Sequence, residues 1–439
     1  MINRYIGSKQ QIIDPLLQEI ATHADPGDHV VDIFSGSITV ALAMKGAGYR
    51  VTANDINLFS AVLADAYLVP TDVPTVELDP LLGESASTLL HKADSTLDDL
   101  VGDDGFTTLA EPSVRAASRK VAALTEWLNV LSWEDLPAIE RRHHFYDTYC
   151  EDGRHSAFTS SRGTTGRRRF VTGTNAERLD LVLNQLRTWW SRELLPRSVY
   201  SLLLASVMRA TEKVANTQGT YHDFPRGTYD PRALGDIRFL PPLIDPLSGP
   251  DLRHVAGREE DSLEFIREVE PHSVLYVDPP YNFRQYTAYY FLLNVMCRYP
   301  ELEDPDEYFG NVRYVRGQNP DDDFSSSFCS VRSFLDSMEA LLTRAAAETV
   351  VLSYFTGRNH WSDFDSDPDD TGRALLSELL ESDIFVPGSL RVTEVDRLNY
   401  ASYGGYKARR VNELLLTAKK QGAQVEREGS ADGRLPTVA

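Results

Sequence analysis

The sequence is poor in cysteine and in long hydrophobic runs, and both shortages exclude classes of protein. Three cysteines in 439 residues are too few and too widely spaced for a disulfide framework or a zinc ribbon. Every apolar run is shorter than the about 18 residues that a membrane-spanning helix needs. The first residues, Met1–Tyr5, lack the apolar stretch of a secretory signal. We therefore expect a cytoplasmic protein that makes no membrane contact.

Positive charge is also scarce, because the formal net charge is -21. Taken alone, this value argues against nucleic acid as a partner. The distribution is uneven, however, since residues 141–210 contain 12 Arg and no Lys against 6 Asp or Glu. A positive patch on an acidic body can bind phosphates, and an arginine-rich solvated helix explains the same charge equally well.

Short apolar runs that alternate with helical segments predict an α/β fold. In His29–Asn57 an apolar run, a glycine turn, a helix of small residues and a second apolar run follow one another. Such continuous apolar runs are typical of parallel strands that are buried on both faces, so we expect a mostly parallel sheet between two layers of helices. The predicted strands are Val30–Phe34, Tyr49–Ala53, Val274–Val277, Thr349–Tyr354 and Val411–Thr417, with helices such as Ile38–Lys45 and Ser333–Ala347 between them.

The stretch between the two α/β regions has a different composition, with amphipathic segments such as "LTEWLNVLSW" and "LDLVLNQLRTWW". An insertion of this size predicts a second domain that carries specificity. We divide the chain into an α/β core of residues 1–70 and 251–420, an inserted domain of residues 71–250, and a polar tail of residues 421–439 that we expect to be disordered.

The turn Ser35-Gly36-Ser37 after the first strand is the first candidate ligand site. It lacks the three glycines with which dinucleotide-binding turns approach a pyrophosphate, so it favours a smaller ligand. Asp55 ends the next strand and could accept hydrogen bonds from ribose hydroxyls. The structural alternative is that Asp55 caps a helix and Gly36 only forms the turn.

The motif Asp278-Pro279-Pro280-Tyr281 follows another predicted strand, at the end where open α/β sheets bind ligands. Proline has no N–H, so the turn offers only acceptors, namely the Asp278 carboxylate and the Pro279 carbonyl. Two acceptors suit an NH2 group, and the Tyr281 ring suits a flat heterocycle. The exocyclic amine of a base is the expected guest, whereas a structural turn with a core tyrosine is the alternative.

These segments resemble those of the Dam-type, or D12 class, DNA adenine-N6 methyltransferases, which use S-adenosylmethionine. The resemblance is carried by "RYIGSKQQIIDPLL" at Arg4–Leu17, "VVDIFSGSITVAL", "ANDIN" at Ala53–Asn57 and "VDPPY". "GREEDSLEFI" and "RRVNELLLT" are similar to further family segments. The resemblance implies a Rossmann-like methyltransferase core and an inserted, largely helical target-recognition domain.

The resemblance also implies roles for individual residues. Asp278, Pro279, Pro280 and Tyr281 would form the catalytic turn. The cofactor would contact Tyr5, Lys9, Asp32, Phe34, Gly36, Asp55, Ile56, Asp261 and Asp278. The sequence departs from the family pattern at Ile33, where proline is usual, and at Ile38, where a second glycine is usual.

Double-stranded DNA is the partner that the resemblance implies, and the segments 160–173 and 215–230 combine Arg, Gly, Thr and aromatic residues. A solvated loop is an equally good explanation of any single arginine there. The candidate DNA contacts are Arg162, Arg167, Arg168, Arg169, Asn216 and Tyr221.

Other functions stay open at this point. A relative could methylate another amine, such as an RNA base or a protein glutamine, or could bind DNA without catalysis. A cognate restriction endonuclease is a possible partner, and we expect a monomer or a weak dimer. No metal is expected, because His143, His144 and Cys150 form a poor zinc set.

Overall fold

The structure is a computed structural model that describes residues 5–100, 112–217, 219–242, 244, 252–357, 359–362, 370–398 and 410–422. The strands within these residues are His29–Asp32 (β1), Arg50–Ala53 (β2), Ala157–Thr159 (β3), Thr165–Arg167 (β4), Val255–Ala256 (β5), His272–Val277 (β6), Ala347–Phe355 (β7), Arg391–Leu398 (β8) and Arg410–Lys419 (β9).

Helices surround these strands and also build most of the segment between β2 and β5. Their bounds are Ile13–Ile20 (α1), Thr39–Gly46 (α2), Leu58–Leu63 (α3), Asp79–Leu82 (α4), Ala86–Leu100 (α5), Pro112–Val130 (α6), His144–Tyr149 (α7), Gly173–Ser191 (α8), Arg197–Val214 (α9), Ser262–Phe265 (α10), Tyr286–Tyr289 (α11), Phe291–Arg298 (α12), Pro305–Gly310 (α13), Phe334–Arg344 (α14) and Thr371–Leu380 (α15). A π-helical turn, Ala64–Leu68, extends α3.

The central sheet among the described residues has the strand order β5-β2-β1-β6-β7-β9-β8. The strands from β5 to β7 are parallel, and β9 runs antiparallel to both β7 and β8. The predicted mostly parallel α/β sheet is therefore confirmed, and all five predicted strands are present. β5 and β8 were not predicted.

Both faces of the sheet are buried, which explains why its central strands are continuously apolar. Successive side chains of a strand point to opposite faces, so alternate residues enter different cores. One core contains Val30, Val274, Val351 and Leu415, and it continues into the helices of the insertion. The other core contains Val31, Leu275, Val350 and Leu416, and it packs against α14 and α15.

The reversed strand β9 brings the last part of the chain to the functional edge of the sheet. Because β9 is antiparallel to β7, its first half lies at the edge where β1, β6 and β7 end. The register pairs Phe355 at the end of β7 with Glu413. A carboxylate from the far end of the sequence therefore lies near the turn that follows β6.

The insertion is largely helical, as predicted, and α9 packs against α3 and α12. Most of its apolar residues join the core of one sheet face, and Leu131, Leu136 and Leu181 form a small separate cluster. The boundaries at residues 71 and 250 stay a prediction. The insertion also carries the hairpin β3–β4, which the sequence did not predict.

Membrane-spanning helices and metal sites were searched for among the described residues only. None of the helices there is long and apolar enough to span a membrane. Within the same residues, no group of three or more His, Cys, Asp or Glu side chains could hold a metal ion. The tail predicted to be disordered lies, from residue 423 onward, outside the described residues.

Candidate active site

Three carboxylates converge where the parallel strands end. Asp32 is the last residue of β1, Asp278 follows β6, and Asp55 lies just beyond β2. These strands are neighbours, so their ends meet beside a cavity. The predicted site residues that line this cavity are Tyr5, Phe34, Asp55, Ile56, Asp261, Asp278, Pro279, Pro280 and Tyr281. The other predicted cofactor contacts, Lys9, Asp32 and Gly36, do not line the cavity.

Gly36 positions Asp55 rather than lining the cavity. Its N–H donates to Asp55 Oδ2 over 2.9 Å, and its carbonyl accepts from Ser60 Oγ over 2.5 Å. Its φ is +50°, and an added Cβ would lie 2.5 Å from the Tyr5 hydroxyl oxygen. Only glycine fits this close approach in this conformation.

Asp55 is fixed by three hydrogen bonds. Besides Gly36, the backbone N–H and the side-chain amide of Asn57 donate to its Oδ1 over 2.9 and 2.8 Å. Burial raises the pKa of Asp55, and these donors partly oppose the shift. The residue that precedes α3 is Asn57, so Asp55 is not the cap of that helix.

Ile38 takes the left-handed conformation that the family's second glycine would adopt without strain. Its φ is +57°, which is unusual for a β-branched residue and costs about 1–2 kcal/mol. The side chain is fully buried in the core beneath α2. Burying an isoleucine contributes roughly 1.5–3 kcal/mol, which offsets the strain.

A buried set of alternating charges lies behind Asp278. Lys9 Nζ is 2.8 Å from Asp278 Oδ1 and 2.9 Å from Glu413 Oε1. Glu413 Oε2 is 2.7 Å from Arg397 Nε, and Glu413 Oε1 accepts a hydrogen bond from Ser353. Glu413 has no exposed surface, and Lys9 is 3% exposed.

The pKa values of this set follow from burial and pairing. Burial raises the pKa of Asp278 to about 6, because desolvation outweighs the attraction of Lys9. Although burial opposes charge on Lys9, the two carboxylates raise its pKa. Burial also disfavours the Glu413 carboxylate, but Lys9 and Arg397 hold its pKa below the usual value. At neutral pH all four groups are therefore charged.

The proline turn is fixed from outside by His360. Its Nε2 lies 2.9 Å from the Phe328 carbonyl and 3.3 Å from the Pro280 carbonyl, so this nitrogen carries the proton and donates to both. Tyr281 is buried, and its ring packs against Phe355 with the ring centroids 5.6 Å apart. The turn is thus held by contacts within the protein.

The N-terminal segment closes the cavity on one side. The Tyr5 ring stacks on Tyr290 with a centroid separation of 4.9 Å, and the N–H of Ile6 donates to the Tyr290 hydroxyl over 2.7 Å. Gly7 has a φ of +81°, and a Cβ there would lie 3.2 Å from the Tyr281 hydroxyl oxygen. The segment that resembles the family's first motif therefore packs on the proline turn.

The other two predicted acidic residues have different surroundings. Asp261 lines the cavity and caps α10, since its Oδ1 accepts from the Leu263 N–H over 2.7 Å. Asp32 is 1% exposed, and burial together with the charges of Asp278 and Asp55 raises its pKa well above the usual value. Asp32 does not line the cavity, and its contact with the cofactor stays a prediction.

The sequence model of the D12 class N6 adenine-specific DNA methyltransferases matches residues 5–101 and 138–311, which is more than half of the chain. The chain belongs to this family. It is 23% identical to modification methylase StsI of Streptococcus sanguinis over 354 residues, which cover 80% of this chain and 43% of that protein. It is 25% identical to type II methyltransferase M.FokI of Planomicrobium okeanokoites over 354 residues, 80% of this chain and 44% of the relative.

A third relative is similar to the chain over most of its own length. Type II methyltransferase M.NlaIII of Neisseria lactamica is 26% identical over 353 residues, which cover 80% of this chain and 82% of that protein. The chain thus spans less than half of StsI and M.FokI but most of M.NlaIII. The D12 match ends at residue 311, so Arg397 and Glu413 lie outside it.

The two segments chosen as candidate DNA contacts of this D12 protein are neighbours in space. The Asn216 side-chain amide donates to the Arg169 carbonyl over 2.9 Å, and Arg169 Nη1 donates to the Arg226 carbonyl over 3.0 Å. The rings of Phe170 and Phe224 lie 4.7 Å apart. The structure brings the segments into one surface region next to the β3–β4 hairpin.

The individual candidates differ in accessibility. Arg162, in the hairpin turn, and Arg167 are exposed, and Arg169 is partly exposed and ion-paired with Glu151. Arg168 is only 3% exposed, and its guanidinium donates to the carbonyls of His155, Tyr314 and Val315. Arg168 therefore holds the protein's own backbone in this structure.

Asn216 and Tyr221 are also buried. Asn216 has no exposed surface, and its carbonyl oxygen accepts from the Asp230 N–H over 2.9 Å. Tyr221 is 4% exposed, and its backbone N–H donates to the Tyr289 carbonyl. Both side chains support the segment, and neither is at the surface in this conformation.

Sequence reasoning missed three residues that lie behind the proline turn and one exposed residue that follows it. Glu413 left a signal, because a single carboxylate inside the apolar run "VNELLLT" requires a buried partner. Arg397 lies in a strand of alternating charges, where nothing distinguishes it. His360 and the 63% exposed Phe283 gave no periodic or motif signal.

Proposed function

We propose that the chain transfers a methyl group from S-adenosylmethionine to the N6 amino group of an adenine extruded from duplex DNA. The observation that carries this proposal is the position of Asp278, at the edge of the cavity and on a turn without N–H donors. Membership of the D12 class supports adenine in DNA as the proposed acceptor. The residue roles below are part of the proposal.

The residues that line the cavity have the chemistry that S-adenosylmethionine needs. Tyr5, Phe34 and Ile56 offer apolar surface to the purine, and Asp55 offers carboxylate oxygens to the ribose. The surrounding carboxylates complement the positive charges of the ligand. When bound, the cofactor supplies an electrophilic methyl group.

Asp278 and the Pro279 carbonyl would accept hydrogen bonds from the two N–H groups of the adenine amino group. The N6 lone pair is delocalised into the ring, so it becomes a nucleophile only when the amino group is held away from planarity. Two acceptors fixed on a rigid turn favour that geometry. Lys9 holds Oδ1 of Asp278, which leaves Oδ2 to face the amino group.

The target base must leave the duplex, because its amino group is otherwise stacked and paired out of reach. Phe283 lies two residues after Tyr281 and is 63% exposed. The Cys329 thiol donates to the Arg284 carbonyl, which holds the backbone directly after Phe283. We propose that Phe283 stabilises the opened base pair at the cavity mouth.

Replacing Phe283 with alanine should slow methylation of a fully paired site by about 10- to 100-fold, the equivalent of one lost stacking contact. Duplexes in which the target adenine faces a mismatch should rescue most of the loss, because their opening is less costly. Single-turnover rates on the two duplexes measure the effect. The control is Val386→Ala, which shortens an exposed apolar side chain at the opposite edge of the sheet. An equal loss on both substrates would contradict the role in opening.

The exposed β3–β4 hairpin is the proposed DNA contact of the insertion. Its turn is closed by hydrogen bonds between the backbones of Ser160 and Thr164 and of Gly163 and Ser160, so Arg162 projects from a defined loop. Arg226 stacks over Phe158 and Phe224, which anchors the hairpin on the neighbouring segment. Phosphate or base-edge contacts can come from Arg162, whereas the exposed Arg167 donates to the Glu151 and Gly153 carbonyls in this structure.

Arg162→Ala should weaken DNA binding and lower the slope of log affinity against log salt by about 1, the value for one phosphate contact. Fluorescence anisotropy over a salt series measures both quantities. The matched control is Arg192→Ala. Arg192 is an exposed arginine just beyond the C-terminus of α8, about 28 Å along the helix axis from the N-terminus of α8, which follows the hairpin in the chain. Equal slopes for Arg162→Ala and the unchanged protein would remove Arg162 from the interface.

Sequencing of methylated adenines tests the proposed function as a whole. DNA from a host without adenine methylation, expressing the protein, should carry N6-methyladenine at one recognition sequence. RNA and protein from the same cells are the comparison arms. Label in a transfer RNA or in a glutamine side chain would favour the alternative amine acceptors, and DNA binding without methylation would favour a non-catalytic relative.

We also propose that the methylation protects DNA from a cognate restriction endonuclease, as the names of the related modification methylases suggest for those proteins. Genomic DNA from the expressing host should then resist an endonuclease that cuts the same recognition sequence. We propose that the chain acts as a monomer or a weak dimer.

A further inference from the structure

Asp278 does not form a simple ion pair with Lys9, because Glu413 and Arg397 extend the pair to a group of four charged residues. Lys9 lies between two carboxylates, and Glu413 lies between two cations, so positive and negative charges alternate from Arg397 to Asp278. Ser353 donates a further hydrogen bond to Glu413 over 2.8 Å. Glu413, which does not line the cavity, is the most deeply buried residue of the group.

We propose that Glu413 and Arg397 are positioning residues that set, through Lys9, the protonation and hydrogen-bonding capacity of Asp278. The inference rests on the proposed function, in which Asp278 must accept a hydrogen from the adenine amino group. Neither residue lines the cavity. Both act at a distance, through Lys9 and through their charge.

The geometry gives Glu413 a specific task. Lys9 Nζ is almost equidistant from Asp278 and Glu413, at 2.8 and 2.9 Å, so its attraction is divided between two carboxylates. A lysine that paired with Asp278 alone would bind that carboxylate more strongly and weaken it as an acceptor. Glu413 therefore keeps Asp278 available while Lys9 keeps it ionised.

Arg397 has the complementary task. An unpaired buried carboxylate is strongly disfavoured, so Glu413 needs a second cation to stay ionised beside Asp278. The Arg397 guanidinium is 8% exposed and stacks over the Phe355 ring at 4.7 Å, which fixes its position. Without Arg397, the site would hold two carboxylates and one lysine.

The electrostatic surroundings of Asp278 determine the sign of each effect. Glu413 raises the pKa of Asp278, whereas Lys9 and Arg397 lower it. The other titratable groups that interact with Asp278 are Asp32 and the phenols of Tyr5, Tyr276, Tyr281 and Tyr286. Removing Glu413 should shift the Asp278 titration to lower pH, and removing Arg397 should shift it to higher pH.

A second buried glutamate provides a matched control. Glu19 on α1 is ion-paired with Arg391 of β8 and accepts from the Thr417 hydroxyl of β9 over 2.8 Å. It has the same kinds of partner as Glu413, namely an arginine and a hydroxyl, but it lies at the opposite end of the sheet. Glu19→Gln therefore removes an equivalent charge without changing the field at Asp278.

The experiment compares Glu413→Gln, Arg397→Gln and Glu19→Gln with the unchanged protein. Single-turnover methylation is measured from pH 5 to pH 9, and carbon NMR follows the Asp278 carboxyl, assigned by its loss in Asp278→Ala. The unchanged protein should lose activity as the pH falls through about 6, because only the Asp278 carboxylate accepts a hydrogen.

Glu413→Gln should move this acid limb to lower pH and lower the rate at the plateau by about 10²-fold, since Lys9 then binds Asp278 alone. Arg397→Gln should move the limb to higher pH, and Glu19→Gln should leave it in place. The inference would be overturned if the acid limbs of Glu413→Gln and Arg397→Gln moved in the same direction, or if neither limb moved.

The titration also separates this inference from the proposed function. If the unchanged protein transfers no methyl group to DNA, the proposed function fails, and the NMR shifts still decide whether Glu413 and Arg397 control Asp278. If Glu413→Gln does not fold, the direction of the Arg397→Gln shift decides alone.

Discussion

Asp278→Ala should abolish methyl transfer, lowering the single-turnover rate by at least about 10²- to 10⁴-fold, while affinity for S-adenosylmethionine stays largely intact. In the proposed mechanism, the substitution removes the carboxylate that accepts a hydrogen bond from the adenine amino group. The other acceptor, the Pro279 carbonyl, cannot hold the amino group out of plane alone. Rapid-quench kinetics and calorimetry of cofactor binding measure the two quantities on the same preparation.

The control for this variant must separate catalysis from stability, because Asp278→Ala also leaves Lys9 with one fewer partner. Glu19→Ala removes a different buried carboxylate, which is ion-paired with Arg391. It should lower thermal stability without lowering the rate at a temperature where the protein is folded. A variant lacking Asp278 that still methylates adenine at a comparable rate would contradict the mechanism.

Asp55→Asn should weaken binding of S-adenosylmethionine by about 10- to 100-fold, which matches the loss of one charge-assisted hydrogen bond of about 1.5–3 kcal/mol. The asparagine would turn an NH2 group either toward the Gly36 N–H or toward the two Asn57 donors, and each orientation places donors together where the carboxylate accepts. Calorimetric titration with the cofactor and with S-adenosylhomocysteine measures the loss. Both ligands contain the ribose, so both should bind more weakly.

Asp65→Asn is the matched control for this second variant. Asp65 lies ten residues farther along the chain, is ion-paired with Arg197, and does not line the cavity. Its replacement should leave the cofactor affinity unchanged. Unchanged affinity in Asp55→Asn would show that the carboxylate at the end of β2 does not contact the ribose.

The features encoded by local sequence were predictable. A strand followed by Asp-Pro-Pro-Tyr ends at the prolines in any fold, because proline cannot continue a strand. The turn at Gly36 requires the conformation that only glycine adopts easily. Parallel strands that end at one edge then bring Asp32, Asp55 and Asp278 together. These predictions needed the order of the segments but no knowledge of distant contacts.

The features set by long-range register were not predictable. Glu413 reaches Asp278 only because β9 enters the sheet in the reverse direction beside β7. Arg397 reaches Glu413 only because β8 pairs with β9 in one register. A shift of one residue would point either side chain to the other face. The sequence marked Glu413 as unusual, but it could not name the partners.

The arginine-rich segment illustrates a different limit. Residue type and neighbours are nearly identical for Arg167, Arg168 and Arg169, yet the first is exposed and the second is buried against three carbonyls. In a short strand and the bend after it, alternate side chains point in opposite directions. Composition therefore identified the surface region, and only the structure separated its exposed arginines from the buried one.

The most direct test of the central claim is to identify the methylated nucleoside itself. The purified protein is incubated with S-adenosylmethionine carrying an isotopically labelled methyl group and with duplex DNA that contains all short sequences. The DNA is digested, and the nucleosides are separated by mass spectrometry. We predict label in N6-methyldeoxyadenosine and its loss in Asp278→Ala. Label in a methylated cytosine, or in RNA or protein supplied in parallel with the DNA left unlabelled, would contradict the claim that this acceptor-only turn receives the amino group of adenine.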